Sequence, residues 1–387
     1  MSNRIGVGII GAGPNDSNWA AEAHIPALRA LPGFEFRALS TTRRETAKAA
    51  SKKYGIPLAF DNHEELINRP EVDLVVVAVK VPHHLELVRA AVAARKHVFC
   101  EWPLGHGLDE ALQMERLVKD AGLKNFVGLQ ARARPELRYL RDLVKDGFVG
   151  QVLSSTLLGA GMLWGDAVSS AKAYTADVSM GATLLTIPVG HGADTLNWIL
   201  GEFASLNATI AQLRKTATVV NVDLSIAVTG PDQIAANGNR SIPMTGPDQI
   251  AVNGLLESGA VAAIQYRGGM PRGYKLLWEI NGSEGDLRVV GGGGHPGMFS
   301  IELSGGRGAE DELRPLTVPE KYLIGTEHIP AGAPRNVALS YLDIASDLTL
   351  GTDKAPTFAD AVVRHRLIDA IQRSAETGQS QSYFRVK

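Results

Sequence analysis

Four groups of residues in this chain have the types and spacing to do chemistry. The turn Gly11-Ala12-Gly13 closes a short, nearly all-apolar run from Arg4 to Ile10. Glycines at such a turn let backbone N–H groups approach a pyrophosphate, and the following helix start adds a favourable partial charge. The third glycine of the usual fingerprint is absent. Pro14 to Asn18 reads as an insertion, and Ala20 or Ala21 is the nearest small residue on the helix. A strand–turn–helix without a ligand is the alternative. The second group is His191 with Asp194 three residues on. An imidazole of ordinary pKa, about 6.5, suits proton transfer at neutral pH, and Asp194 on the same helical face would orient it. Otherwise both satisfy groups at a helix start after Pro188. The third is Lys80, at the carboxyl edge of an apolar strand, where doubly wound sheets bind ligands. It is a candidate proton acceptor or phosphate contact, or an exposed strand-end lysine. The fourth is Glu101-Trp102-Pro103. An indole N–H only donates and cannot accept a proton. Trp102 is then a flat face for stacking on a ligand, or a core aromatic at a strand end.

Alternating strands and helices must position these groups. The β-branched runs Arg4–Ile10 and Leu74–Val79 suit strands buried on both faces of a parallel sheet. Phe34–Leu39, Leu58–Phe60 and His97–Cys100 read as further strands. Helices are expected near Trp19–Leu31, Glu45–Tyr54 and His84–Ala94, and from Glu64. The pattern implies βαβ units and a doubly wound parallel sheet. The second strand ends in Ser40-Thr41-Thr42-Arg43-Arg44, with no carboxylate before Glu45. An acid there would hold the 2′-hydroxyl of NAD, whereas small hydroxyls and arginine suit the 2′-phosphate of NADP, so NADP is favoured over NAD. A boundary is expected near Asn125–Gln130, giving domains 1–127 and 128–387, with the C-terminal helix a candidate to pack back on the first. Beyond it come a helix near Pro135–Asp146 and alternating strands at Val152–Leu158, Ala204–Ala211, Leu224–Val228, Gly254–Leu256, Val261–Tyr266 and Leu276–Ile280. Helices at Gly190–Leu200 and Asn336–Leu350 bracket them. This second domain reads as α+β with a large, mostly antiparallel sheet.

At 387 residues the chain is long enough for two domains. Lys+Arg 39 against Asp+Glu 41 leaves almost no net charge, and no basic cluster or zinc-type spacing stands out. Those features argue against a nucleic-acid partner, and no metal site is expected. The one cysteine, Cys100, rules out an intrachain disulfide and fits a reducing cytoplasm; it reads as core. No signal peptide or membrane span is expected. Thr229-Gly230-Pro231-Asp232-Gln233-Ile234 recurs at Thr245-Gly246-Pro247-Asp248-Gln249-Ile250, a period of 16 residues. One repetition is too little for a solenoid. The second copy reads as a turn leading into a strand, the first as a duplicated loop. Gly291-Gly292-Gly293-Gly294 reads as a flexible loop.

The chain resembles the Gfo/Idh/MocA family of oxidoreductases. The resemblance rests on Val7 to Gly13, His24-Ile25-Pro26-Ala27-Leu28, Val81-Pro82-His83-His84, Lys96 to Leu104, Val127 to Arg132, Gly190-His191-Gly192-Ala193-Asp194, Asn281 to Leu287 and Ala370 to Gly378. Trp102 and the Trp19-Ala20 pair make it most similar to the branch containing the fungal galactose-regulon repressor. The resemblance implies coenzyme contacts at Gly11, Gly13, Asn18 and Trp19, at Thr41, Thr42 and Arg43, at Val79, Pro82 and His84, and at Glu101, Trp102 and Gln130. It implies substrate contacts at Trp102, Arg132, His191 and Asp194. Family dehydrogenases use the lysine of Glu-Lys-Pro and an Asp-x-x-x-His pair. Here Trp102 and Ile187 occupy the lysine and aspartate positions, so only His191 remains, with Lys80 the candidate replacement. Two functions are consistent with this. One is an NAD(P)-dependent oxidoreductase acting on a carbohydrate or polyol, with His191 as acid/base. The other is a non-catalytic regulatory protein that senses dinucleotide and sugar. The family also implies a homodimer or homotetramer formed through the second-domain sheet.

Overall fold

The computed structural model describes residues 4–220 and 240–383, which divide into two compact units. Unit 1 comprises residues 1–135 and 320–365; unit 2 comprises 136–319 and 366–387. The expected strand at Leu224–Val228 and the first copy of the repeat lie outside the described residues. So the second stretch of chain does not form a single block after the first: residues 320–365 return to unit 1.

Unit 1 is built on a six-stranded sheet, all of it parallel: β1 (Ile5–Ile10), β2 (Phe34–Ser40), β3 (Leu58–Phe60), β4 (Leu74–Val77), β5 (His97–Cys100) and β6 (Asn125–Val127). Their spatial order is β3-β2-β1-β4-β5-β6, so the order reverses between β1 and β4. Ligands bind at such a switch point, outside the carboxyl ends of the strands. β1 and β4 are buried along their whole length, as expected of strands covered on both faces. The covering helices include α1 (Ile25–Ala30), α2 (Arg44–Tyr54), α3 (His63–Ile67), α4 (His84–Ala93) and α5 (Leu108–Asp120). The first helix is entered through a wider turn, Ala20–His24, which is continuous with α1.

Unit 2 opens with α6 (Pro135–Lys145) and β7 (Val152–Gly161), followed by β8 (Ala167–Ser169), α7 (Gly190–Leu200), β9 (Phe203–Ala211), β10 (Thr216–Val220), β11 (Arg240–Pro243), β12 (Gln249–Leu256), β13 (Val261–Gly268), β14 (Leu276–Gly282), β15 (Gly285–Gly291), β16 (Ile301–Arg307) and β17 (Arg314–Pro315). Eight of these strands form one sheet in the order β17-β16-β15-β14-β7-β13-β12-β9. It is antiparallel except where β7 meets β13. One face is packed: Ile250, Val252, Ile264, Tyr266, Trp278 and Ile280 are buried at alternate positions. The chain then rejoins unit 1 with α8 (Ala333–Thr349).

The second copy of the repeat is structural. Gln249–Leu256 is β12, as the pattern predicts, and Asp248 just before it is fully buried. Its carboxylate accepts from the Leu213 N–H at 2.6 Å, the Arg214 N–H at 3.2 Å and Arg214 Nη1 at 2.9 Å. Asp248→Ala would leave these donors without their acceptor. We expect the substitution to cost about 2–4 kcal/mol, read as a lower urea midpoint; an unchanged midpoint would refute that structural role.

Candidate functional site

The carboxyl ends of β1, β2, β4, β5 and β6 carry most of the residues singled out in unit 1. Beyond β1, Gly11 adopts φ +104°, and a Cβ there would lie 2.3 Å from Ala78 O, beyond β4. Only glycine lets the two ends meet so closely. Gly11 N–H donates to Ser40 O and Gly13 N–H to Gly11 O, which closes the turn. Gly13 faces open space, with Asn18 Nδ2 its nearest neighbour at 3.9 Å. Asn18 organises the inserted loop: Nδ2 donates to the carbonyls of Gly13 and Asn15, and Oδ1 accepts from the Ala21 N–H at 2.9 Å. The last is a helix-capping bond, so Asn18 builds the cradle where a third glycine is missing. Two polar atoms in this region are buried with no hydrogen-bond partner among the described residues: Trp19 Nε1 and Gln130 Oε1. A donor after β1 and an acceptor after β6, both at carboxyl ends of the parallel sheet, fit a polar ligand such as a dinucleotide.

After β2, Thr41 Oγ1 donates to Arg43 O and meets Thr46 Oγ1 at 2.7 Å. Thr42 and Arg43 are exposed, with Arg43 in extended backbone before α2. β4 ends at Val77, earlier than the expected Val79; half-buried Ala78 and Val79 and exposed Lys80 lead into a short turn containing exposed Pro82.

The Glu101-Trp102-Pro103 corner is held by three buried histidines. His24, visible in the sequence only as part of His24-Ile25-Pro26, is fully buried, with Nδ1 2.8 Å from the Tyr341 hydroxyl and Nε2 2.8 Å from Glu101 Oε1. Burial, and then the Glu101 charge, push the Tyr341 hydroxyl well above its ordinary value. It therefore stays protonated and can donate to Nδ1, leaving the Nε2–H for the carboxylate. His84 places Nδ1 3.0 Å from Pro103 O and 3.1 Å from Leu104 O, and Nε2 3.1 Å from Val79 O. Burial holds its pKa below the ordinary value against the pull of those carbonyls. His365 lies with its ring centroid 4.8 Å from that of Trp102, tilted by 43°. Burial, and then His84, lower its pKa to about 4. Trp102 is itself 5 % exposed, and it closes this corner as a packed ring. Cys100 is core, its thiol pushed well up by burial. Arg132 Nη1 donates to Asp360 Oδ1 at 2.8 Å. Burial raises the Asp360 pKa, but Arg132 and the Thr357 donors outweigh it and leave the carboxyl below its ordinary value.

In unit 2, His191 and Asp194 lie in the first turns of α7, 4 % and 1 % exposed. The expectation that His191 titrates near neutrality does not hold: burial lowers its pKa to about 3, so the resting imidazole is neutral. Its ring lies 3.9 Å from that of His295, tilted by 36°. His295 has no motif of its own; the one signal in the sequence is a histidine directly after four glycines. That loop is not the flexible one expected. Gly294 packs so closely on Ala160 that a Cβ would fall 2.3 Å from the Ala160 carbonyl oxygen. It is tied down by its own N–H to Ala160 O and by the Tyr266 hydroxyl donating to Gly294 O at 2.8 Å.

Two family models match the chain. The oxidoreductase family with an NAD-binding Rossmann fold matches residues 5–129, and the Gal80p C-terminal domain matches 135–291. Over 99 % of both chains, 29 % of residues are identical to the dehydrogenase aclE of Aspergillus oryzae. The galactose/lactose metabolism regulatory protein GAL80 of Saccharomyces cerevisiae is 26 % identical over 97 % of this chain and 94 % of its own. The solved structure of a levoglucosan dehydrogenase in complex with NADH and levoglucosan superposes with TM-score 0.81 over 99 % of this chain and all of that one, at 21 % identity. No described helix is long and apolar enough to cross a membrane.

The two most strongly depressed histidines predict acid sensitivity. The unfolded chain takes up these protons near pH 6.5, the folded one only near 4 for His365 and 3 for His191. Stability is therefore full above about pH 6.5 and falls as pH drops below it, by up to about 1.4 kcal/mol per pH unit for each group. Thermal melts from pH 7.5 to 4.5 should fall less steeply for His365→Phe than for wild type; parallel curves would refute this.

Proposed function

The chain belongs to the Gfo/Idh/MocA oxidoreductase family, near its Gal80 branch, and on that premise we propose that it is an NAD(P)-dependent oxidoreductase acting on a carbohydrate or polyol. The observation that carries this reading is the turn at the switch point of the unit 1 sheet, where Gly11 approaches Ala78 and Gly13 meets only Asn18, together with the unmatched polar atoms of Trp19 after β1 and Gln130 after β6. The dinucleotide supplies a hydride acceptor. The chain must then grip it and accept the proton of the substrate hydroxyl. Gly11, Gly13, Val79, Pro82, Glu101 and Gln130 are assigned to the grip, with His84 fixing the Trp102 corner. His191 is assigned the proton and Lys80 is the alternative; Arg132 and Asp194 are assigned to the substrate. Thr41, Thr42 and exposed Arg43, with no acid among them, support NADP over NAD. A cytoplasmic homo-oligomer formed through the unit 2 sheet completes the proposal. The relatives named as dehydrogenases support turnover.

Packed Trp102 and the low pKa of His191 favour a second reading: a non-catalytic regulatory protein that senses dinucleotide, in keeping with the regulatory relative. Fluorescence titration with NADPH and NADH, followed by a panel of sugars, sugar acids and polyols read at the nicotinamide absorbance band, separates the two. Turnover supports the enzyme; tight binding with no turnover supports the regulator.

Gly11→Val should weaken dinucleotide binding at least about tenfold, since the added Cβ meets Ala78 O. Arg43→Ala should weaken NADPH about tenfold and leave NADH within about twofold. Equal losses for both coenzymes would reject the NADP preference. Turnover lost in His191→Ala but kept in Lys80→Ala would match the roles assigned; the reverse would exchange them.

A further inference from the structure

We propose that His295 is the positioning partner of His191, and that the two stacked imidazoles form a pair that receives one hydroxyl proton from the substrate. This rests on the oxidoreductase reading above. The rings lie 3.9 Å apart, both buried, at 4 % and 7 % exposure. Neither ring belongs to a mobile segment. His191 is carried by α7, where the neighbouring Gly192 sits so close to Tyr266 that a Cβ would fall 2.2 Å from its hydroxyl. That same hydroxyl donates to Gly294 O, one residue before His295. Tyr266 thus ties the helix of one imidazole to the loop of the other. Burial pushes its pKa far up, so the hydroxyl remains a donor. His295 is also fixed in tautomer. Its Nδ1 accepts from the Gly297 N–H at 3.1 Å, so the neutral ring carries its proton on Nε2.

Stacking matters because of what the site lacks. Ile187, four residues before His191, offers no carboxylate to steady an imidazolium. A lone buried imidazole resists protonation, because burial penalises its charged form. The face of a neutral aromatic ring attracts a cation, and more strongly when water is excluded. With the His295 ring against it, a charge on His191 would meet an attraction that offsets part of the burial penalty. The O–H bond of the substrate breaks, an N–H bond forms on His191, and the electron pair stays on oxygen. The pair carries one charge and not two, because two imidazolium rings at this distance repel.

The test compares His295→Leu, which removes the aromatic face, with His295→Phe, which keeps it. In histidine-labelled protein without coenzyme, the ring proton between the nitrogens of His191 should show an upfield ring-current shift, lost in His295→Leu and kept in His295→Phe. In the turnover assay, kcat should fall about tenfold in His295→Leu with KM within about twofold, and His295→Phe should restore it. Unchanged kcat in His295→Leu, equal loss in both variants, or no ring-current shift in the wild type would each overturn the proposal. A protein that turns over nothing in the panel removes the oxidoreductase reading and, with it, the proton transfer; a persisting ring-current shift then shows that the stack itself is real and that only the function assigned to it has failed.

Discussion

Desolvation of imidazole is the constraint on which both units depend. Of ten histidines, His24, His84, His191, His295 and His365 are buried. Taking a charged ring out of water is expensive, so a buried histidine stays neutral unless a charge partner compensates. Three of these five are held below their ordinary pKa, each with burial as the leading cause. A neutral imidazole is a flat polar ring with one donor and one acceptor. His24 joins Tyr341 to Glu101, His84 braces the Trp102 corner, and His365 and His295 lie against other rings.

Trp102 belongs to the same economy of charge. An ammonium in that corner would need water or a carboxylate within reach. An indole needs only apolar contact and a partner for its N–H, and it packs beside the His365 ring. Such a corner is well packed, and burial holds the pKa of two of its histidines, His84 and His365, below the ordinary value. That property leaves both an enzyme with a single proton acceptor and a dinucleotide-gripping regulator in view, and the relatives include proteins named as each.

Much of the fold could be read directly. Continuous β-branched runs separated by helical periods led to the parallel sheet of unit 1, and alternation along Val261–Tyr266 and Leu276–Ile280 led to the mostly antiparallel sheet of unit 2. The site was less legible. Gly11 and Gly13 announce themselves because a turn needs them. His295 and Tyr266 do not, because their importance comes from neighbours far away in sequence. The repeat misled in part: Asp248 reads as a turn residue, and it is a buried acceptor for the backbone of Leu213 and Arg214.

By itself, then, the order of residues determined the main strands and helices of the parallel sheet, the glycine turn at the end of β1, and the lack of an acid after β2. Those follow from local periodicity and side-chain type, which act within a few residues. Tertiary structure alone decided that residues 320–365 rejoin unit 1, that the glycine-rich loop is packed and not loose, and that His191 is a neutral ring against His295. Each of these depends on burial and on contacts between distant segments, and the free energy of a buried polar group is set by the neighbours that replace its water.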